Sequence, residues 1–315
     1  VASRSTGDNT VDHIVVGIGD SGPDHYLAAL DLAARMGSQR EAVIILVHGC
    51  LPRLSIARNG SEAQERHMER GRQRLEEAEL ALTPMLDVTS SAVSLAAVTA
   101  NGVDALLQES QTATTLIVQR RNPSPLGRAI GGGTCYVVAA QAACPVIVVR
   151  RDQLGSDSRR GVVVGVSPHS GLRALQVGVT EAAVRKCPLT AVCVWDLQFS
   201  PTYGSWIDPD EEELAEAARW ADSVLATAVS TAAELHPDVE FHARSVKGVI
   251  EEGLLQECEH AELLVVERHR DAHRASIGLG TLTRHLIDHA PCPVVVTPHS
   301  DAADDLHAGD DLAAQ

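Results

Sequence analysis

Ala143-Cys144-Pro145-Val146-Ile147-Val148-Val149 returns late in the chain as Pro291-Cys292-Pro293-Val294-Val295-Val296. Cys144 and Cys292 are 148 residues apart, and three further landmarks share that offset. Gly17 and Gly165 each close a β-branched run, Leu106-Leu107-Gln108-Glu109 matches Leu254-Leu255-Gln256-Glu257, and Gly132 matches Gly280. Landmarks at the start, middle and end of a unit with one common offset mark a duplication. The 315 residues therefore divide into domain one, residues 11–150, and domain two, residues 160–298. A polar Ser/Asp-rich linker at 152–159 joins them, and an acidic, aperiodic tail occupies 299–315.

Each copy reads the same way. A β-branched run opens it (13–18; 161–166), followed by a turn rich in Gly, Asp, Ser and Pro. An apolar stripe at helical spacing comes next: Leu27, Leu30 and Ala34 in copy one, Leu172, Leu175 and Val179 in copy two. Gly37 is the expected stop of the first helix. A second apolar run (43–47; 190–194) precedes a long polar helix (62–82; 211–235) and a weaker third strand (91–98; 239–245). A short helix near 103–111 leads to Leu116-Ile117-Val118, with Leu264-Val265-Val266 as its counterpart. A last helix (134–142; 281–289) runs into Cys-Pro and a closing Val-rich strand. Strands that are apolar throughout need cover on both faces, and alternating helices supply it. The pattern predicts an α/β fold of two tandem doubly wound, Rossmann-like domains, each an open, mostly parallel five-stranded sheet flanked by helices.

Composition narrows the function. Asp and Glu outnumber Lys and Arg by 42 to 26, a formal charge of −16 that repels polyanions such as DNA or an acidic membrane face. No apolar run approaches the ~18 residues of a membrane span, and the first residues do not read as a signal peptide. The expectation is a cytoplasmic protein that binds neither nucleic acid nor membrane. The seven cysteines form no C-x-x-C pair and sit mostly in apolar stretches such as Val192-Cys193-Val194. They read as small buried hydrophobes. No Walker lysine, G-x-S-x-G or H-E-x-x-H is present. His269 and His273 have helical spacing without a carboxylate cluster nearby, so no metal site is expected.

In an open α/β sheet a ligand binds at the carboxyl ends of the strands, where strand order reverses. That edge holds the turn after the first strand (Gly19 and Ser21; Ser167) and the loop before the last helix. The loop carries Gly131-Gly132-Gly133-Thr134 in copy one and Gly278-Leu279-Gly280-Thr281 in copy two. Glycines ahead of a helix let backbone N–H groups approach an anion, and they serve equally as turn residues. The same loops are rich in cations: Arg120, Arg121 and Arg128, then Arg268, His269, Arg270, His273 and Arg274.

A first strand ending Val-Val-Gly-Ile or Val-Val-Gly-Val, a fourth strand of Leu-Val-Val type and the closing Ala-Pro-Cys-Pro-Val-Val-Val resemble the universal stress protein family. The match covers about 11–150 and 160–298. The resemblance implies a stress-response protein that is not an enzyme, and pairing of the last strands (146–149 and 294–297) edge to edge. That pairing would make a homodimer or an intramolecular pseudo-dimer, with a further, unidentified protein partner. ATP-binding members carry Gly-x2-Gly-x9-Gly-Ser/Thr after the fourth strand and an Asp after the first. Carried over position by position, the leading glycines fall on Gln119 and Asn122, then on Glu267 and Arg270. The closing pair falls on Gly132 and Gly133, then on Gly280 and Thr281, and the Asp falls on Gly19 and Ser167. Both copies have lost the leading glycines and the acid, so no cofactor is expected and usual ATP binding is taken as lost. The other reading is ATP, a related nucleotide or another anion gripped by Arg268 and Arg270 through the guanidinium fork.

Overall fold

The computed structural model describes residues 11–20, 22–51, 61–86, 92–121, 133–155, 160–167, 172–195, 199–200, 205–206, 210–268 and 279–299. The chain divides into two compact units, Val1–Ile117 and Val118–Gln315. The first unit alternates β1 (His13–Gly17), α1 (Leu27–Arg40), β2 (Val43–Gly49), α2 (Ser61–Leu82), β3 (Val93–Val98) and α3 (Gly102–Glu109) before reaching β4 (Thr115–Gln119). Its strands run in the order β4-β1-β2-β3, all parallel. The second unit opens with α4 (Thr134–Gln141) and β5 (Val146–Val149). It continues with β6 (Val162–Gly165), α5 (Leu172–Arg185), β7 (Leu189–Trp195) and a short pair, β8 (Phe199–Ser200) and β9 (Ser205–Trp206). It closes with α6 (Glu211–Leu235), β10 (Phe241–Lys247), α7 (Ile250–Glu257), β11 (Leu263–Glu267), α8 (Thr281–His289) and β12 (Val294–Thr297).

In the second unit the order is β5-β12-β11-β6-β7-β10. Every contact in it is parallel except β5 on β12, which is antiparallel. The register there is Val294 on Val148, Val295 on Ile147 and Val296 on Val146. With the repeat offset applied, Ile147 lies opposite its own equivalent, so the ladder is symmetric about Ile147 and Val295. The strand that closes the first repeat thus belongs to the compact unit that holds the second.

The elements follow from their residues. Ile14, Val15 and Val16 in β1, and all four residues of β5 and of β12, are buried, as continuous β-branched runs covered on both faces should be. The edge strands β3 and β10 have no buried residue, and β10 is largely exposed and carries the more polar sequence. Asn101 caps α3, accepting from the N–H groups of Val103 and Asp104. Asp210 and Glu213 form a capping box at the start of α6.

Three expectations need correction. Gly37 does not stop the first helix: it is buried inside α1, which runs to Arg40. The left-handed turn falls instead on Glu41 (φ 53°), whose N–H bonds the Gly37 carbonyl, and on Lys186 (φ 52°) after α5. Leu172 is not part of the buried stripe: it is the first residue of α5 and is 49% exposed, while Leu175, Gly178, Val179 and Ala182 face inward. The third strand of copy two runs two residues further than expected, to Lys247. No helix among the described residues is long and apolar enough to cross a membrane.

Candidate functional site

Strand order reverses at β1, which lies between β4 and β2, and at β6, which lies between β11 and β7. The carboxyl ends of these strands are where this fold places a ligand. Of the residues expected there, Gly19, Gly133, Thr134, Ser167, Arg268, Gly280 and Thr281 are described. Ser21, Gly131, Gly132, Arg270 and Gly278 lie outside the described residues, as do Asn122, Arg128, His269, His273 and Arg274.

At the first reversal Gly19 is half-buried and leads into Asp20. The carboxylate missing at position 19 thus reappears one residue on. Asp20 Oδ1 stands 3.5 Å from Nε2 of His48, near the end of β2. His48 is buried, and its Nδ1 lies 2.9 Å from the Ile18 carbonyl, which fixes that nitrogen as the donor. Sequence reasoning missed this pair; an acid next to the expected position was the available signal. At the second reversal Ser167 is exposed.

The phosphate-loop positions are filled differently from the glycine pattern. Gln119 is buried at the end of β4. Glu267, its equivalent at the end of β11, has a side chain 5% exposed, and Oε1 stands 3.0 Å from Nδ1 of His299. Thr297, the register partner of Glu267 on β12, is fully buried. Gly133 and Gly280 are the N-caps of α4 and α8, with φ of −64° and −56°. Neither glycine is there for a left-handed backbone. A Cβ at Gly133 would come within 3.2 Å of the Tyr136 ring.

The cationic side chains turn toward helix ends. Arg268 Nη1 donates to the Ala142 carbonyl at the C-terminus of α4, at 3.4 Å. Its repeat equivalent, Arg120, stands 2.7 Å from Asp288 Oδ1 on α8 and donates to Tyr136 Oη at 3.1 Å. Tyr136 in turn donates to Asp288. Arg150 binds Asp152 through two 3.0 Å hydrogen bonds and gives a third, also 3.0 Å, to the Asp288 carbonyl. Gln153 caps α8 through the Ala290 carbonyl at 3.0 Å. Arg284 lies over the Tyr136 ring, 4.6 Å from its centroid. Cations at helix C-termini suit the partial negative charge of the last carbonyls.

These surroundings shift protonation. Burial pushes the Tyr136 phenol up to about 12, and its bond to Asp288 adds to that, against an opposing pull from Arg120. Desolvation lowers Arg120, but Tyr136 and Asp288 outweigh it and the net direction is up. The Asp152 carboxyl is held below its usual range, first by its hydrogen bonds to Arg150. All seven cysteines are free thiols and six are buried. Burial raises Cys135 and Cys193 to about 11 and Cys144 to about 12. Among the described residues no group of three or more His, Cys, Asp or Glu could hold a metal ion.

Arg121 is exposed beside Arg120. Of the expected arginines only Arg120, Arg121 and Arg268 are among the described residues. Arg120 and Arg268 point to helices α8 and α4, and Asp288, Tyr136 and Arg150 join a cluster that the sequence reading did not contain. The signal for it was asymmetry between the copies: Asp288 stands where copy one has Ala140.

Comparison with known proteins bears on both repeats. The model of the universal stress protein family matches residues 10–150 and 159–298. A universal stress protein of Mycolicibacterium smegmatis is 30% identical over 294 residues, covering 90% of this chain and 96% of that protein. One from Mycobacterium tuberculosis strain H37Rv is 26% identical over 203 residues, 63% of this chain and 66% of that one. The crystal structure of a universal stress protein from Archaeoglobus fulgidus superimposes with a TM-score of 0.65 at 15% identity, covering 92% of this chain and 97% of that one. At that identity it speaks for the fold alone.

Proposed function

Because the chain belongs to the universal stress protein family along both of its repeats, we propose that it is a stress-response regulatory protein that works by binding and not by catalysis. Its contacts are with other proteins, and it does not hold ATP in the manner of the glycine-loop members. The observation that carries this reading is Glu267. A buried carboxylate occupies the position of the first loop glycine and is paired with His299 at 3.0 Å. A triphosphate brought there would meet a like charge in a poorly solvated place, where repulsion is weakly screened. Gln119 fills the matching space in copy one, and Arg120 and Arg268 are directed at helix ends.

The test is native mass spectrometry of the full chain with and without ATP and magnesium. A spectrum free of stoichiometric adduct is expected. An adduct of nucleotide mass at micromolar ATP overturns the reading and favours an anion grip by the Arg-rich loops. In that event Arg268→Ala with Arg270→Ala should abolish the adduct.

The two repeats act as a pseudo-dimer within one chain, and this is supported by the symmetric ladder of β5 on β12. Each last strand then has its backbone groups paired, which removes an edge open to aggregation. A cytoplasmic location is part of the same reading, and a homodimer through the last strands is the alternative to this intramolecular pairing.

A further inference from the structure

The seam between β5 and β12 is symmetric in register but not in chemistry. Ile147 faces its own repeat equivalent, Val295. Tyr136 also meets its equivalent, since Arg284 lies 148 positions on and covers the Tyr136 ring at 4.6 Å. Arg120 corresponds to Arg268, so both copies bring an arginine to the seam. Asp288 breaks the symmetry, because the first repeat has Ala140 at that position. On this one carboxylate converge Arg120 at 2.7 Å and the Tyr136 hydroxyl.

We propose that Asp288 is the specificity determinant of this seam: it fits the last strand and helix of the first repeat to the second repeat, and against another copy of the first. The proposal rests on reading the β5–β12 ladder as the junction of the repeats. Replacing each residue by its equivalent shows what the other pairings would lose. Two first repeats would set Arg120 against Ala140 and Tyr136 against Tyr136. The guanidinium would then sit half-buried without a carboxylate, and a desolvated charge left without its partner is strongly unfavourable. Two second repeats would set Arg284 against Arg284, placing like charges in contact where mixed pairing places a cation over a ring. Mixed pairing alone supplies both the carboxylate for Arg120 and the aromatic face for Arg284. The partner this surface fits is therefore a Val-rich strand beside a helix carrying Arg and, one turn on, Asp, as in Arg284-x3-Asp288.

The experiment uses the full chain and hydrogen exchange of the segments 146–149 and 294–297. In wild type both are expected to be protected; fast exchange there would mean that the junction reading itself fails. Asp288→Arg puts a cation against Arg120 and is expected to speed exchange in both segments at least tenfold while β1 and β2 are unchanged. Arg120→Asp combined with Asp288→Arg restores an opposite-charge pair and should recover most of the protection. Unchanged exchange in the single variant, or no recovery in the double, overturns the proposal. Should Asp288→Arg not fold, Asp288→Asn keeps the shape without the charge and should show a smaller increase in the same segments. Partner choice is read separately with Ile147→Cys, whose introduced thiol meets the same thiol of a second chain only if two first repeats pair. An interchain disulfide through position 147 is expected with Asp288→Arg and not with Asp288 in place. Equal yields in the two backgrounds, zero included, overturn the proposal.

Discussion

The thiols of Cys135, Cys144 and Cys193 are raised to about 11, 12 and 11 by burial, so at neutral pH the nucleophilic thiolate is scarce. Alkylation by iodoacetamide at about pH 7.5 is expected to be at least tenfold slower in the folded chain than in denaturant, with Cys187, the one partly accessible thiol, reacting first. Rapid labelling of Cys144 in the native protein would contradict the burial argument. Asp152 offers a pH test. Its pKa is lowered in the folded state by Arg150, so its pairing stabilises the fold above the ordinary carboxyl value of 3.8. That contribution fades as pH falls through the lower folded value. With its side chain 66% exposed, the pair is worth under about 1 kcal/mol. Asp152→Asn should therefore lower Tm slightly at about pH 7 and not at all at about pH 2. At this scale the sequence showed which cysteines are core residues, because Val192 and Val194 flank Cys193. It could not show where Arg268 points, because its acceptor, the Ala142 carbonyl, is brought near only by the β5–β12 register.

Caps and close contacts decide where elements begin and meet. The Asp210 carboxylate accepts from the Glu213 N–H at 2.8 Å, and the Glu213 carboxylate accepts in return from the Asp210 N–H at 3.0 Å. Asp210→Ala should cost about 1 kcal/mol, read by urea unfolding. Gly49, which ends β2, abuts the turn into α3: a Cβ there would lie 2.5 Å from both Asn101 C and Gly102 N. Those are backbone atoms that cannot rotate aside. Gly49→Ala is expected to destabilise by about 1–3 kcal/mol, and a variant with wild-type Tm would show that the turn relaxes freely. Element order was legible because runs such as Val43–Val47 and Leu263–Val266 alternate with 3.6-period stripes. Element ends were less so. Gly37 looked like a stop, yet a glycine inside a helix costs only about 1 kcal/mol, and the left-handed turn went to Glu41. The short β8–β9 pair carries no periodic apolar run from which to infer it.

Across the molecule, the landmarks sharing the offset of Cys144 from Cys292 gave the duplication, and the alternation of strands and helices gave the mostly parallel sheet. The division at Ile117 and Val118 was not visible, since it depends on which strands pair and not on where the repeats begin. It has an experimental counterpart. A chain ended after Gln153 keeps β5 but loses β12, leaving a fully apolar Val-Ile-Val-Val edge unpaired. Such a fragment is expected to self-associate or precipitate at concentrations where the full chain stays clear by light scattering. A monodisperse monomer would mean that β5 needs no partner.

The Ile147–Val295 symmetry also bears on how such a chain can change over time. In an assembly of identical subunits each substitution at the axis is imposed on both sides, so a lone arginine there would face another arginine. Joining the copies in one gene removes that constraint, and the two halves can diverge into lock and complement. Tyr136 opposite Arg284, and Ala140 where the other half has Asp288, are the traces such divergence would leave.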